Sequence, residues 1–490
     1  MFSQSQGRAR ASKNCANCRA VKRRCDLQRP SCGQCIRARE TCHGYRDDWQ
    51  LVFRDQTDRT IKRSKEKRTK KVARTQVVHS PPSIYSLSPS MDDVGVNYFL
   101  RNFVVGGKPL ARGCLNYIPS VYRADGEHPT LVTSMAAVGL VALANSTQQP
   151  SLVSHARAKY TEAIHRVNAA LASPVESVRD STLMSVISLG VFEHVYEHQS
   201  WERHVRGAAA LVVMRGKGQF TSPAAIQMFN QVRADMLVSC LDVIKPFPQD
   251  LLELQEEAAK YADTLGASWT SGVLGTRCTN LYTRLMDTSR SIPQSDLLEE
   301  ATVLERDYRK FFASLAMEEP YTTIREAGGD AELVYNGRFD LYQDSWAIRV
   351  WNNARNIYII LCRILCHLLA KTLTTDLPPG TRELMELKMQ KTMRAQLRAG
   401  DDIVATVPQA LEFVSSTSEP GACSGLSFHS SVSGGYMLTW CLYLVGTCAV
   451  TVPEKRRWII RRLQYIGRTT RISMALKLVQ DIIQMDQCAG

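Results

Sequence analysis

The chain has 490 residues, 44% of them hydrophobic and 22% charged, which excludes a wholly disordered chain and a fibrous repeat. At roughly 100 to 200 residues per domain, it has room for more than one domain. The net charge of +14 is concentrated in residues 1 to 79, which hold 21 of the 61 Lys and Arg residues but only 7 of the 47 Asp and Glu residues. A neutral body with a basic N-terminal arm indicates a polyanionic partner, either nucleic acid or an anionic membrane surface.

The first 14 residues predict a disordered basic N-terminus. They contain neither the apolar stretch nor the cleavage pattern of a secretory signal peptide, so we expect an intracellular protein. The 15 cysteines are an odd number, and without a secretory signal we interpret them as thiols or metal ligands rather than disulfides.

Six cysteines in residues 15–42 repeat one C-x2-C-x6-C unit. They are Cys15, Cys18, Cys25, Cys32, Cys35 and Cys42. Zinc prefers four ligands, so three thiolates per unit leave each ion one ligand short, and no histidine lies inside the run. If Cys15 and Cys32 each bridge both ions, the six sulfurs complete two zinc sites. A segment this short buries too little apolar surface to fold alone, so the metals must supply folding free energy on the order of 10 kcal/mol.

The segment CANCRAVKRRC-DLQRPS-CGQCIRARETC closely resembles the fungal zinc binuclear cluster family of transcription factors. The resemblance implies two short helices, two Zn²⁺ ions and double-stranded DNA as the partner. It also implies that Lys22 reads base edges of a CGG triplet in the major groove, whereas Val21 departs from the second lysine of some members. The remaining cations are then expected to contact phosphates: Arg19, Arg23, Arg24, Arg37 and Arg39. The alternative is a zinc ribbon or cysteine-rich loop without DNA contacts.

Residues 46–90 are predicted to form a basic linker. Its cations predict a nuclear localisation signal at Lys62, Arg63, Lys65, Lys67, Arg68, Lys70 and Lys71, with a phosphate-contacting arm or a solvated charge run as alternatives. No heptad pattern is present, so monomeric DNA binding and a homodimer formed through the C-terminal body both stay open. Three prolines among serines place the domain boundary near residue 90.

Residues 91–490 predict an all-α domain. Apolar residues recur at helical spacing in 151–172, 176–198, 224–242, 344–370 and 381–407. Stretches such as DSTLMSVISLGVFEHV and WERHVRGAAALVVMRG resemble the fungal-specific transcription factor region that follows the cluster in many such proteins. That resemblance implies a regulatory domain in contact with the transcription machinery or co-regulators. The apolar run 435–450 is too short to span a membrane, so we predict a buried core helix and no membrane partner.

Three further hypotheses concern the body. His194, Glu197 and His198 spell H-x-x-E-H, typical of a zinc-dependent hydrolase, although a third ligand and a cleft would be needed. Cys362, Cys366 and His367 lie on an apolar helix, where buried thiols are the default and a redox sensor is the alternative. The third hypothesis is a metabolite-sensing regulator whose helical body binds a small ligand.

The sequence therefore predicts a small metal-stabilised zinc binuclear cluster (residues 15–45) plus a large all-α C-terminal regulatory domain (91–490). We expect a nuclear, sequence-specific transcription factor and not an enzyme. It would regulate RNA polymerase II transcription from CGG-type sites, in a metabolic or secondary-metabolite pathway.

Overall fold

The computed structural model describes residues 13–45, 89–105, 112–196, 200–287, 289, 292–325, 330–414 and 432–489. The chain divides into two compact units, residues 1–87 and 88–490. The predicted nuclear localisation signal, and Glu197 and His198 of the predicted hydrolase motif, lie outside the described residues.

The N-terminal unit contains two short helices, α1 (Ala16–Ala20) and α2 (Gly33–Arg37). Each lies in the same place within its C-x2-C-x6-C repeat and begins directly after the first cysteine of that repeat. The two short helices expected for this segment are therefore confirmed.

The C-terminal unit is built from helices joined by short connections. In chain order they are α3 (Met91–Phe99), a π-helical turn (Leu100–Val104), α4 (Ile118–Asp125), α5 (Pro129–Thr147), α6 (Pro150–Leu171), α7 (Asp180–Val195), α8 (Trp201–Arg215), a 3-10 turn (Lys217–Gln219), α9 (Pro223–Asp242), α10 (Gln249–Ala258), α11 (Ala267–Met286), α12 (Gln294–Glu318), α13 (Ser345–Leu373), α14 (Pro379–Ala410), α15 (Val432–Gly446), α16 (Pro453–Thr469) and α17 (Ser473–Ala489).

Local sequence fixes several of these helix starts. Ser90 and Asp93 form a reciprocal capping box at α3, in which each side chain bonds the other residue's backbone amide. The Ser222 hydroxyl accepts from the Ala225 amide at α9, and the Asp344 carboxylate caps α13 through the Ala347 amide.

Helices α3 and α5 approach each other closely at a pair of glycines. A Cβ on Gly139 of α5 would lie 1.7 Å from the carbonyl oxygen of Gly95 on α3. Because no side chain fits in that gap, glycine is required at position 139 for the two backbones to pack.

A two-stranded antiparallel sheet, β1 (Tyr321–Arg325) and β2 (Arg338–Tyr342), lies between α12 and α13. Its register pairs Tyr321 with Tyr342 and Arg325 with Arg338. The sequence analysis did not predict this hairpin. Five-residue strands are too short to show a clear alternating pattern, so no sequence signal set them apart from the surrounding loop.

The helices form two hydrophobic cores. The first draws mainly on α3 to α10, and the second on α11 to α17. Ion pairs join segments that belong to the two cores. The Arg112 guanidinium pairs with the carboxylates of Glu319 at 2.7 Å and of Asp344 at 2.8 Å. The guanidinium of Arg349 on α13 donates to the carbonyl oxygen of Cys114.

The predicted all-α architecture is confirmed, with the hairpin as its one sheet among the described residues. The apolar run predicted as a core helix falls largely within α15, most of whose side chains are buried. Two other helices, α5 and α13, are long and apolar enough to cross a membrane, but 78% and 61% of their apolar windows are buried inside the protein. Burial of this kind is typical of core helices.

Candidate metal centre and nucleic-acid interface

Cys15 and Cys32 hold equivalent positions at the starts of α1 and α2. The Cys15 Sγ accepts a hydrogen bond from the Cys18 amide at 3.4 Å, and the Cys32 Sγ accepts one from the Cys35 amide at 3.4 Å. The C-x2-C spacing therefore turns two sulfurs of each half toward a common centre.

The sulfur separations fit tetrahedral zinc. Cys15 Sγ lies 3.6 Å from Cys32 Sγ and 3.7 Å from Cys35 Sγ, and Cys18 Sγ lies 3.7 Å from Cys32 Sγ. Two sulfurs about 2.3 Å from one tetrahedral zinc ion are about 3.8 Å apart. The observed spacing is therefore that of thiolates that share metal ions.

The sulfurs of Cys15 and Cys32 each contact two sulfurs of the opposite half, whereas those of Cys18 and Cys35 each contact one. Cys15 contacts Cys32 and Cys35 of the second half, while Cys32 contacts Cys18 of the first. Cys25 interacts with the sulfurs of both Cys15 and Cys32, and Cys42 interacts with those of Cys15 and Cys35. This arrangement supports Cys15 and Cys32 as the bridging pair.

The thiol pKa values divide into two groups. Burial raises the pKa of the Cys32 thiol to about 12, and it raises the pKa of Cys15 above its usual range as well. Burial alone would also raise the pKa of the Cys25 thiol, but the backbone amides of Cys15 and Leu27 lower it to about 7. Backbone amides of Cys32 and Gly44 lower the pKa of Cys42. Zinc binding must displace the protons of the buried pair, so metal affinity depends on pH.

Arg23 lies against the cluster sulfurs. Its guanidinium is 3.4 Å from Cys18 Sγ and 3.7 Å from Cys35 Sγ, and it forms an ion pair with Glu40. Hydrogen bonds to Cys18 and Glu40 raise the pKa of Arg23. Six thiolates exceed the charge of two Zn²⁺ ions by two negative charges, so a cation here offsets the excess. This contact was not anticipated from the sequence, which had placed Arg23 on a DNA phosphate.

Lys22 lies just beyond α1, not within it. The helix ends at Ala20, and Lys22 has a left-handed backbone with φ of 52°. Arg39 occupies the matching position after α2, with φ of 55°. The cations after Ala20 do not continue α1, because the chain turns at Lys22 so that the Arg23 amide bonds the Cys18 carbonyl at 2.9 Å.

The other cations that were predicted to contact DNA differ in their solvent exposure and in whether their side chains bond to the protein itself. Arg19 is half-buried and donates to the Asn14 carbonyl at 2.6 Å. Four side chains are exposed: Lys22, Arg24, Arg37 and Arg39. Exposed cations beside the cluster are the ones available to phosphates and base edges.

Asp26 connects the two halves of the cluster. Its carboxylate oxygens accept from the Gly33 amide at 3.0 and 3.1 Å, at the start of α2. A Cβ on Gly33 would lie 2.5 Å from the nearer of those oxygens. Asp26 and Gly33 therefore fix where the second half begins, a role that the sequence analysis did not assign to them.

Comparison with known families defines the class of protein. Residues 13–50 match the fungal Zn(2)-Cys(6) binuclear cluster domain, and residues 116–245 match the fungal specific transcription factor domain. The chain thus carries a DNA-binding type of zinc cluster that holds two Zn²⁺ ions through its six cysteines. No curated protein and no solved structure matches the chain.

Together the two domains are those of a fungal zinc binuclear cluster transcription factor. The family resemblance stated from the cysteine spacing is therefore confirmed. Both families are non-enzymatic regulators, so the chain is classed as a regulator and not as an enzyme.

The other candidate sites gain no support. Among the described residues, both groups of side chains close enough to share a metal ion lie in the cysteine cluster. His194 of the predicted hydrolase motif instead packs edge-on against Tyr436, with ring centroids 4.7 Å apart. Burial raises the pKa of the Cys362 thiol well above its usual range and that of Cys366 to about 11, the opposite of what a redox sensor needs.

Proposed function

We propose that this protein is a nuclear, sequence-specific regulator of RNA polymerase II transcription that reads CGG-containing sites through Lys22. The observation that carries the proposal is the position of Lys22: its exposed side chain projects from the turn that follows α1, next to the zinc cluster. A lysine ammonium donates to guanine O6 and N7, the acceptors of a G·C pair in the major groove.

The exposed arginines around Lys22 supply phosphate contacts. Arg24 lies two residues beyond Lys22, and Arg37 and Arg39 end the equivalent segment of the second half. Contacts of this kind fix the register of a protein on DNA without reading its sequence. We assign Arg23 to the cluster rather than to DNA, because its guanidinium already contacts Cys18, Cys35 and Glu40.

The helical body is the part that we assign to regulation. Its match to the fungal specific transcription factor domain supports contacts with co-regulators or the transcription machinery. We further propose that the targets belong to a metabolic or secondary-metabolite pathway. Transcript profiling of a deletion strain against its complemented parent tests this, and unchanged metabolic transcripts would contradict the pathway assignment.

Selection of random DNA duplexes on the purified full-length protein tests the DNA-binding proposal. The selection is run with zinc and with a chelator, and the retained duplexes are sequenced. Zinc-dependent enrichment of CGG is expected, and a second triplet at fixed spacing would identify a homodimer, whereas a single triplet would identify a monomer. A protein that holds two zinc ions but enriches no sequence would contradict the proposal.

A further inference from the structure

A cavity of about 450 Å³ lies inside the helical body, where the two hydrophobic cores meet. Its walls come from Tyr117, α7, α8 and α9 of the first core and from α11, α13, α15 and α17 of the second. Cavities of this volume, lined by apolar and aromatic side chains with a few polar groups, are typical of sites for small organic molecules.

Two polar groups at this cavity make no hydrogen bond within the protein. The Tyr117 hydroxyl belongs to a side chain that is only 3% exposed, and the Asn356 Oδ1 to one that is 7% exposed. The amide nitrogen of the same Asn356 is satisfied by the Cys441 sulfur at 3.2 Å. Leaving buried polar atoms unpaired is costly, so both groups are suited to a molecule that enters the cavity.

The hydrogen-bonding capacity of these atoms defines what the molecule must offer. Asn356 Oδ1 accepts only, so it requires an O–H or N–H donor on the ligand. The Tyr117 hydroxyl both donates and accepts, and so pairs with a carbonyl or a hydroxyl. A hydroxyl on the ligand therefore satisfies either group.

Asp235 and Arg349, two charged residues that line the cavity, are linked through Gln231, whereas the charged lining residues Glu202, Asp242 and Lys477 are exposed to solvent. Gln231 donates from Nε2 to both carboxylate oxygens of Asp235, at 2.8 and 2.9 Å, while its Oε1 accepts from the Arg349 guanidinium. Gln231 thus links a carboxylate to a guanidinium. A charged ligand would lose its hydrating water on entering the cavity, and the Asp235 and Arg349 charges, already bonded to Gln231, would not compensate for that loss. The site therefore favours an uncharged molecule.

Aromatic rings form part of the cavity wall. Trp346, Tyr436 and Trp440 line the cavity, and the Arg349 guanidinium lies 5.9 Å from the centre of the Trp346 ring. The Trp440 ring packs at 5.3 Å from Tyr443, another lining residue. Flat rings offer the largest favourable contact to another flat ring.

We infer that this cavity is a binding site for an uncharged, planar, hydroxylated aromatic molecule. Its ring system stacks among the tryptophan and tyrosine side chains, and its hydroxyl bonds Tyr117 and Asn356. A bound molecule touches helices of both cores. The inference does not depend on the DNA-binding proposal, because it concerns the helical body alone and its test contains no DNA.

Titration calorimetry on the full-length, zinc-loaded protein at pH 7 tests the inference, with 2-naphthol as the probe. The matched controls are 2-naphthoate, its anionic counterpart, and 2-naphthylmethylammonium, its cationic one. We expect saturable binding of one 2-naphthol per chain, with affinity for either charged analogue lower by at least about tenfold.

Two variants locate the binding. Tyr117→Phe removes a hydroxyl that has no partner in the protein, so it should leave the melting temperature unchanged or higher while it weakens 2-naphthol binding about fivefold. Ser271→Trp places an indole into the cavity and should abolish binding while helical content is retained. Tyr261→Phe, at an exposed tyrosine that does not line the cavity, should bind 2-naphthol like the wild type.

The alternative results overturn the inference. No saturable 2-naphthol binding by the wild type would show that the cavity does not accept this class of molecule. Equal binding of the charged analogues would contradict the requirement for an uncharged ligand. Unchanged binding by a folded Ser271→Trp protein would place any 2-naphthol site elsewhere.

Discussion

Arg23 and Glu40 occupy the same position in the two halves of the zinc cluster, 17 residues apart, and form an ion pair with each other. The repeat that aligns Cys15 with Cys32 also aligns this cation with this anion. Their backbone amides make matching bonds, Arg23 to the Cys18 carbonyl and Glu40 to the Cys35 carbonyl, both at 2.9 Å. The pair therefore connects the two halves, and the guanidinium also contacts a sulfur of each half.

Replacing Arg23 should weaken zinc retention. Arg23→Gln removes the positive charge beside Cys18 and Cys35, and loss of such an outer contact lowers metal affinity by about tenfold or more. Competition against a chromogenic zinc chelator measures the effect. Arg24→Gln is the matched control, since Arg24 is exposed, and it should keep its zinc while losing DNA affinity. Equal zinc loss in both variants would contradict the assignment.

Substitutions of Lys22 and Arg39 should distinguish base recognition from phosphate contact. Lys22→Ala removes the proposed base contact, so preference for CGG over mutated triplets should fall by about tenfold or more. Arg39→Ala, at the equivalent left-handed position, should weaken binding to all sequences alike and reduce the salt dependence by about one phosphate contact. Fluorescence anisotropy at several salt concentrations measures both, and preserved CGG preference in Lys22→Ala would count against its role.

Removing zinc should unfold only the N-terminal unit. The cluster depends on metal for its folding free energy, whereas the helical body has two extensive hydrophobic cores of its own. A chelator should therefore abolish DNA binding and leave most of the far-UV helical signal, with an unchanged main melting transition. Loss of that transition on chelation would show that the body requires the metal.

The cysteine spacing alone was enough to predict the metal centre. Six sulfurs at that spacing have few ways to satisfy two tetrahedral ions, so the sequence analysis identified the ligands and the candidate bridging pair. The role of Arg23 was missed because charge counting does not show where a guanidinium points. Aligning the two repeats would have placed Arg23 opposite Glu40 and suggested the ion pair.

The helical body was predicted in outline only. Periodicity identified helices such as α6 and α9 within a few residues, since an amphipathic face repeats along many turns. The cavity was not predictable from the sequence, because Tyr117, Asp235 and Asn356 are far apart in the chain and meet only when the two cores pack.

The close contact between α3 and α5 makes Gly139 intolerant of any side chain. Gly139→Ala would place a methyl group 1.7 Å from the Gly95 carbonyl oxygen, so the helices must separate. We expect a loss of about 1 to 3 kcal/mol in the free energy of unfolding, measured by urea titration. Gly380→Ala is the control, because a Cβ there meets nothing within 4 Å. Equal stability of the two variants would contradict this account of the crossing.

Asp235 should make the stability of the body depend on pH. Burial raises the pKa of Asp235 from 3.8 to about 6, although Gln231 and Arg349 oppose the shift. Between these two values the folded state binds more protons than the unfolded state, so the free energy of unfolding falls as pH rises through this window.

Asp235→Asn removes that dependence and keeps a side chain of the same shape beside Gln231. At pH 7 the variant should exceed the wild type in unfolding free energy by up to about 3 kcal/mol, and near pH 4 the two should converge. Urea unfolding at each pH, followed by the helical signal, measures the difference. A constant difference between Asp235→Asn and the wild type at every pH would contradict this account, because it would mean that the Asp235 carboxyl has the same pKa in the folded and unfolded states.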